Sequence, residues 1–170
     1  MATSEIDLDT SSDQIEVVTF RLDGNWYSIP VSQISSVIDP KNTTRVPRTS
    51  SSVEGVMDYR GEVAVIIELA EVLGVDNNGE YDFRNIIILD DDLDNQTVGV
   101  VTDEVFGVRS FSTDDLEKPV ENDDDTSRVN LLGGTFTVED EDTKVIELVN
   151  VEAVLQRVTE ESRIEFQQAG

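Results

Sequence analysis

The feature that most constrains this chain is a succession of short runs of β-branched, aliphatic and aromatic residues, each cut by a turn signal before it reaches helical length. Residues 15–22 open the series, with Val18, Phe20 and Leu22 alternating on one face, and Asp23-Gly24 leads directly into Trp26, Tyr27 and Ile29. An Asp-Gly pair between two such runs is a hairpin signature, because the favoured two-residue hairpin turns require positive φ. Residues 56–59 and 62–67 are joined in a similar way through Arg60-Gly61, with Gly61 as the structural turn residue. Residues 84–89, 97–102 and 106–111 read as further strands, with residues 90–96 as the turn between the first two. A last hairpin spans residues 129–138 and 144–149, and Gly133-Gly134 implies a bend or bulge in its first strand.

Helical spacing is scarce by comparison. Val31, Ile34 and Val37 recur at helical intervals after Pro30, predicting one or two turns before the chain extends again through Ile38, and a loop follows at residues 39–52. Leu69–Leu73, ended by Gly74, is a short helical cap. The one convincing helix closes the chain: Val151, Val154, Leu155 and Val158 share a face, and Asn150 is a suitable N-cap. Residues 160–170 are expected to fray, and residues 1–13 to form a disordered acidic tail. The polar segment 76–82 carries Gly79 and reads as a junction, and residues 117–128 as an acidic excursion. Many short strands with one real helix predict an all-β architecture of small barrels, two of them, divided at residues 76–82.

Composition limits what such a fold can do. The chain has no cysteine and no histidine, which removes thiol nucleophiles, Ser-His-Asp relays and the usual zinc sites. Its net charge of −25 opposes direct contact with nucleic acid or an anionic membrane. Arg45 and Arg48 lie close together but read as a solvated loop. No run approaches the roughly 20 apolar residues that span a bilayer, and the start lacks the basic and apolar regions of a secretory signal, so a cytoplasmic protein is expected. The acid is spread over the whole chain and lysine occurs only at Lys41, Lys118 and Lys144, a surface suited to concentrated salt, where at about 1 M the Debye length falls to roughly 3 Å. A halophilic source is therefore expected. Thermal melts across a potassium chloride series check this: the melting temperature should climb steeply into the molar range, and a flat series would refute it.

Several local patterns imitate catalytic or metal sites without completing them. Ile86 to Leu89 followed by Asp90-Asp91-Asp92 resembles the start of a response-regulator receiver, but strands follow where helices should alternate. Aspartates at 90, 92 and 94 alternate as in an EF-hand, yet Asn95 stands at the glycine position and Val101 at the bidentate glutamate position. Paired carboxylates are too abundant to single out a glycosidase pair. Gly133-Gly134 is followed by no lysine, so no phosphate loop is present. No enzyme, cofactor or specific metal site is expected.

The segment from Val53 through Met57-Asp58-Tyr59-Arg60-Gly61-Glu62-Val63-Ala64-Val65 to Leu69 resembles the signature of the CheW family of chemotaxis coupling proteins. The order around it is similar too: Val18-Thr19-Phe20-Arg21-Leu22, Tyr27-Ser28-Ile29 and Val46-Pro47 before it, Val98 to Val105 and Val145 to Val149 after it. The likeness covers residues 14–159. It implies two five-stranded SH3-like barrels with short helices and a C-terminal helix, no activity of its own, and an adaptor role between chemoreceptors, the methyl-accepting chemotaxis proteins, and the histidine kinase CheA. By that resemblance the receptor tip enters a groove between the barrels, the barrel ends pair with the kinase, and Arg60 belongs to the receptor-facing region. Val37, Ile38 and Val105 would add apolar contact, and a guanidinium at a turn can bridge carboxylates bidentately. The chain departs from the pattern at Ser36, where an acidic residue is usual and Asp39 is the nearest substitute, at Ala64 in place of a proline, and at Asp58-Tyr59 in place of Asn-Leu. Similar domains also end CheA, so a regulatory domain detached from a kinase or receiver fusion is the alternative.

Overall fold

The computed structural model describes residues 13–47, 51–75, 84–93, 95–118, 131–140 and 142–169, with side chains as far as Glu161. The tail 1–12, the junction 76–82 and most of the acidic excursion lie outside the described residues. The strands are β1 (Gln14–Leu22), β2 (Asn25–Pro30), β3 (Ile34–Ile38), β4 (Val53–Tyr59), β5 (Glu62–Glu68), β6 (Asn85–Leu93), β7 (Gln96–Thr102), β8 (Val105–Ser112), β9 (Leu132–Glu139) and β10 (Thr143–Val149). The α-helices among the described residues are α1 (Leu69–Leu73) and α2 (Val151–Ala169).

The fold is all-β, in two five-stranded SH3-like subdomains, but the chain does not fill them one after the other. One sheet has the order β8-β1-β2-β10-β9 and the other β3-β6-β7-β5-β4. Strands β5 and β7, on either side of residues 76–82, pair in parallel within one sheet, so the expected division of the barrels at that segment is corrected. The first hairpin instead crosses to strands more than a hundred residues later, with β2 parallel to β10. Both sheets repeat one pairing pattern: an edge strand antiparallel to a hairpin, the hairpin parallel to the next strand, and that strand antiparallel to the far edge.

Three buried clusters follow from this arrangement. Ile86 and Ile88 pack with Met57, Tyr59, Ala64 and Ile66, whereas Ile87 and Leu89 on the same strand join a larger cluster with Phe20, Tyr27, Ile67 and Val98. A strand buried on both faces needs a continuous apolar run, which explains Ile86 to Leu89 without recourse to a receiver. The large cluster takes residues from both sheets and both helices, and so holds the barrels together. The third is small, built on Val17, Phe136 and Leu148, with Phe111 stacked on Phe136 at 4.3 Å. Gly99 leaves little room at the centre: an added Cβ there would stand 3.0 Å from side-chain carbons of both Ile86 and Ile88, which would have to shift to admit it.

Local expectations meet tertiary demands unevenly. The helical spacing of Val31, Ile34 and Val37 yields only a 3-10 turn at Val31–Gln33, because the residues from Ile34 on are taken by β3 in its ladder with β6. β6 runs on through the predicted turn to Leu93, pairing Asp92 with Thr97. Asn150 caps α2 as expected, its Oδ1 accepting the Ala153 N–H at 3.2 Å, and Val151, Val154, Leu155 and Val158 are buried. The helix continues to Ala169, through the stretch expected to fray.

Candidate functional site

Arg60 stands at the tip of the β4–β5 hairpin with φ of 53°, followed by Gly61 at 81°, the paired positive angles of a turn whose twist matches its strands. Asp23 and Gly24 repeat that geometry at the β1–β2 turn. The Arg60 side chain is exposed, its guanidinium carbon lies 5.1 Å from the centre of the Tyr59 ring, and among the described residues it makes no ion pair. Tyr59 is buried, and its hydroxyl is 2.7 Å from Ser36 Oγ on β3. Two of the positions where the chain departs from the family pattern, Ser36 and Tyr59, thus hold one another, and their bond fixes the Arg60 turn against β3.

β3 carries the next candidates. Ser36, Val37 and Ile38 pair with Ile88, Ile87 and Ile86. Val37 is 40% exposed, Ile38 leans on the cluster around Met57 and Ile86, and Asp39 follows in the open. Ile38 and Arg60 are therefore joined through Tyr59, while Val37 faces the opposite side of β3 and is exposed. Val105 is placed elsewhere. Its N–H donates to Asn85 Oδ1 at 3.0 Å, at the start of β6, whereas the Arg60 turn adjoins the start of β5, and the register puts those at opposite ends of the sheet. Val105 is linked to Ile38 through Asn85 and its neighbour Ile86, the register partner of Ile38.

Beside Val105 lies a buried ionic network that the sequence patterns did not single out. Arg84 Nη2 donates to both carboxylate oxygens of Glu68, at 2.7 and 2.8 Å, and its Nε is 3.9 Å from Asp103 Oδ1. Asp103 Oδ2 accepts the Asp23 N–H at 2.9 Å, while the Asp103 and Arg21 backbones bond at 3.0 Å. Glu68 ends β5 in one sheet and Asp23 turns β1 into β2 in the other, so the network ties the two barrels. Burial pushes the Glu68 carboxyl above its ordinary range, against the hydrogen bond and charge of Arg84, which pull it down, and the Glu54 and Asp103 charges push it further up. The available signal was a charge at each border of an apolar run, Glu68 after Val65-Ile66-Ile67 and Arg84 ahead of Ile86 to Leu89.

Among the described residues no three acidic side chains converge as a metal cage would require, and Asp90, Asp91 and Asp92 lie exposed along β6. No described helix is long and apolar enough to cross a membrane. What the fold presents is surfaces: two interleaved barrels locked by a shared core and a charge network, with an arginine turn held at one rim. That architecture defines a two-barrel adaptor domain. The family model of the CheW-like domain matches residues 16–159, and the chain belongs to that family, whose members are scaffold proteins without catalytic activity.

The similar proteins agree. The chain is 26% identical over 156 residues to the chemotaxis protein CheW of Bacillus subtilis, covering 88% of this chain and 92% of that one. It is 30% identical over 104 residues to the chemotaxis protein CheW of Thermotoga maritima, covering 61% and 67% respectively. Protein PilI of Pseudomonas aeruginosa is 28% identical over 97 residues, a match spanning about half of each protein. The crystal structure of the scaffolding protein TtCheW from Thermoanaerobacter tengcongensis has the same fold, with a TM-score of 0.70 at 23% identity over 81% of this chain and 84% of that one.

Proposed function

We propose that this chemotaxis scaffold couples the cytoplasmic tips of chemoreceptors to the histidine kinase CheA, holding each on its own surface at the cytoplasmic face of a receptor array. The observation that carries the reading is membership of the CheW-like family over residues 16–159. The Arg60 turn supports it locally: an exposed guanidinium, without an ion pair among the described residues, is tied through Tyr59 and Ser36 to β3, the strand that carries the exposed Val37. In this reading Val37, Ile38, Asp39, Arg60 and Val105 face the receptor. Because Ser36 is engaged by Tyr59, Asp39 provides the carboxylate. Val105 lies toward the other end of the sheet, so the receptor contact runs along the seam between the barrels and is not a single point.

The test is retention of partners on the immobilised full chain in multimolar potassium chloride, using the CheA and a receptor cytoplasmic fragment from the same organism. A ternary complex is the expected result. Recovery of neither partner would show the proposal to be wrong.

A further inference from the structure

On the face formed by β8, β1, β2 and β10, in the other sheet from the Arg60 turn, Trp26 has two cations close to its ring. Lys144 Nζ lies 4.8 Å and the Arg21 guanidinium carbon 5.7 Å from the centre of the indole ring, and Phe106 packs against it at 4.7 Å. Trp26, Phe106, Val108, Arg109 and Lys144 line one shallow depression there. Phe106 is 47% and Val108 59% exposed, so the apolar floor continues onto the surface along the edge strand β8.

The charge at this spot runs against the rest of the molecule. The chain has 37 acidic and 12 basic residues, so a basic side chain should rarely lack an acidic neighbour. Of the bases here, Arg109 is bonded to Asp140 at 3.1 Å, but neither Arg21 nor Lys144 is ion-paired among the described residues. Arg21 donates from Nη2 to the Gly24 carbonyl at 3.2 Å, and its buried Nε has no hydrogen-bond partner among the described residues. Two cations without an ion pair among the described residues, around a half-buried tryptophan and an exposed phenylalanine, form a surface complementary to carboxylates that flank an apolar side chain. Elsewhere the summed field repels such a segment.

We infer that the Trp26 face docks an acidic protein segment, seating an apolar side chain on Trp26 and Phe106 and placing carboxylates at Lys144 and Arg21. The site lies in the other sheet from Arg60, Val37 and Ile38, touches the receptor-facing set only where Val105 precedes Phe106 on β8, and stands whether or not that assignment holds.

Trp26 is the chain's single tryptophan, so its fluorescence reports this site alone. The full chain is titrated with a peptide of alternating leucine and glutamate and with its leucine and glutamine counterpart, in a salt concentration at which circular dichroism shows the fold. The acidic peptide should change Trp26 emission saturably and bind at least about tenfold more tightly than the neutral one, and Lys144→Glu should remove about that factor. Should Lys144→Glu melt early, Lys144→Gln and Arg21→Gln carry the same comparison with smaller losses. Equal binding of the two peptides, equal binding by wild type and variants, or no response to either peptide would each overturn the inference. A change in emission on concentrating the chain alone, with no peptide effect, would assign the face to a second copy and overturn it equally.

Discussion

Replacing Arg84 by alanine should lower the unfolding free energy by about 3 kcal/mol at neutral pH, the lower end of the roughly 3–5 kcal/mol seen when one member of a buried ion pair is removed. The lower end applies because the Arg84 side chain is 25% exposed, against 10% for Glu68. The loss is dominated by what is left behind: Glu68 and Asp103 remain buried and face one another without their common cation. The pH dependence follows from the direction of the Glu68 shift. Its folded carboxyl titrates above the ordinary 4.5, so the folded state holds the proton more firmly than the unfolded one. That contribution is complete below 4.5 and is lost as pH rises through the folded value. Removing Arg84 raises the folded value further and widens the window. The variant should therefore be closest to wild type in acid and fall away from it toward neutrality, and Glu68→Gln in the Arg84→Ala background should restore part of the stability. Denaturant melts from pH 4 to 8 on the four members of this cycle measure it. A deficit that does not vary with pH would show that Glu68 carries no buried charge penalty.

The Arg60→Ala variant should fold normally and lose receptor coupling by at least about thirtyfold, the scale of an interface residue worth about 2 kcal/mol. Little of the fold depends on this side chain. It is exposed, its cation–π contact with Tyr59 is worth about 0.5–1 kcal/mol, and alanine inherits the same positive φ of 53°. The Ser36–Tyr59 bond that sets the turn stays in place. Titration of the receptor fragment, with CheA binding as an internal control, separates the outcomes. Loss of receptor alone locates the receptor surface at the turn, and unchanged receptor binding moves it to another part of the chain. Loss of both partners with an unchanged melt would give the turn a role in both surfaces.

Much of this was legible in the sequence because it is local. The Asp23-Gly24 and Arg60-Gly61 turns, the α2 stripe with its Asn150 cap and most strands follow from φ preferences and side-chain periodicity, which neighbouring residues suffice to express. The exclusion of thiol and imidazole chemistry needed only the absence of cysteine and histidine. The family likeness was carried by residues 53–69, within the span that the family model covers.

What only the tertiary structure decided is long-range. Val31, Ile34 and Val37 have the spacing of a helix, yet β6 offered a ladder and Ile34–Ile38 became a strand. The barrels interleave because β2 closes against β10, and nothing near residue 26 announces a partner near residue 146. Glu68, Arg84, Asp103 and Asp23 meet for the same reason, as do Lys144, Arg21 and Phe106 around Trp26. Period and turn chemistry specify elements and the faces they bury. Which faces meet is set by packing every apolar face at once, and the surfaces proposed for partners lie where those faces close.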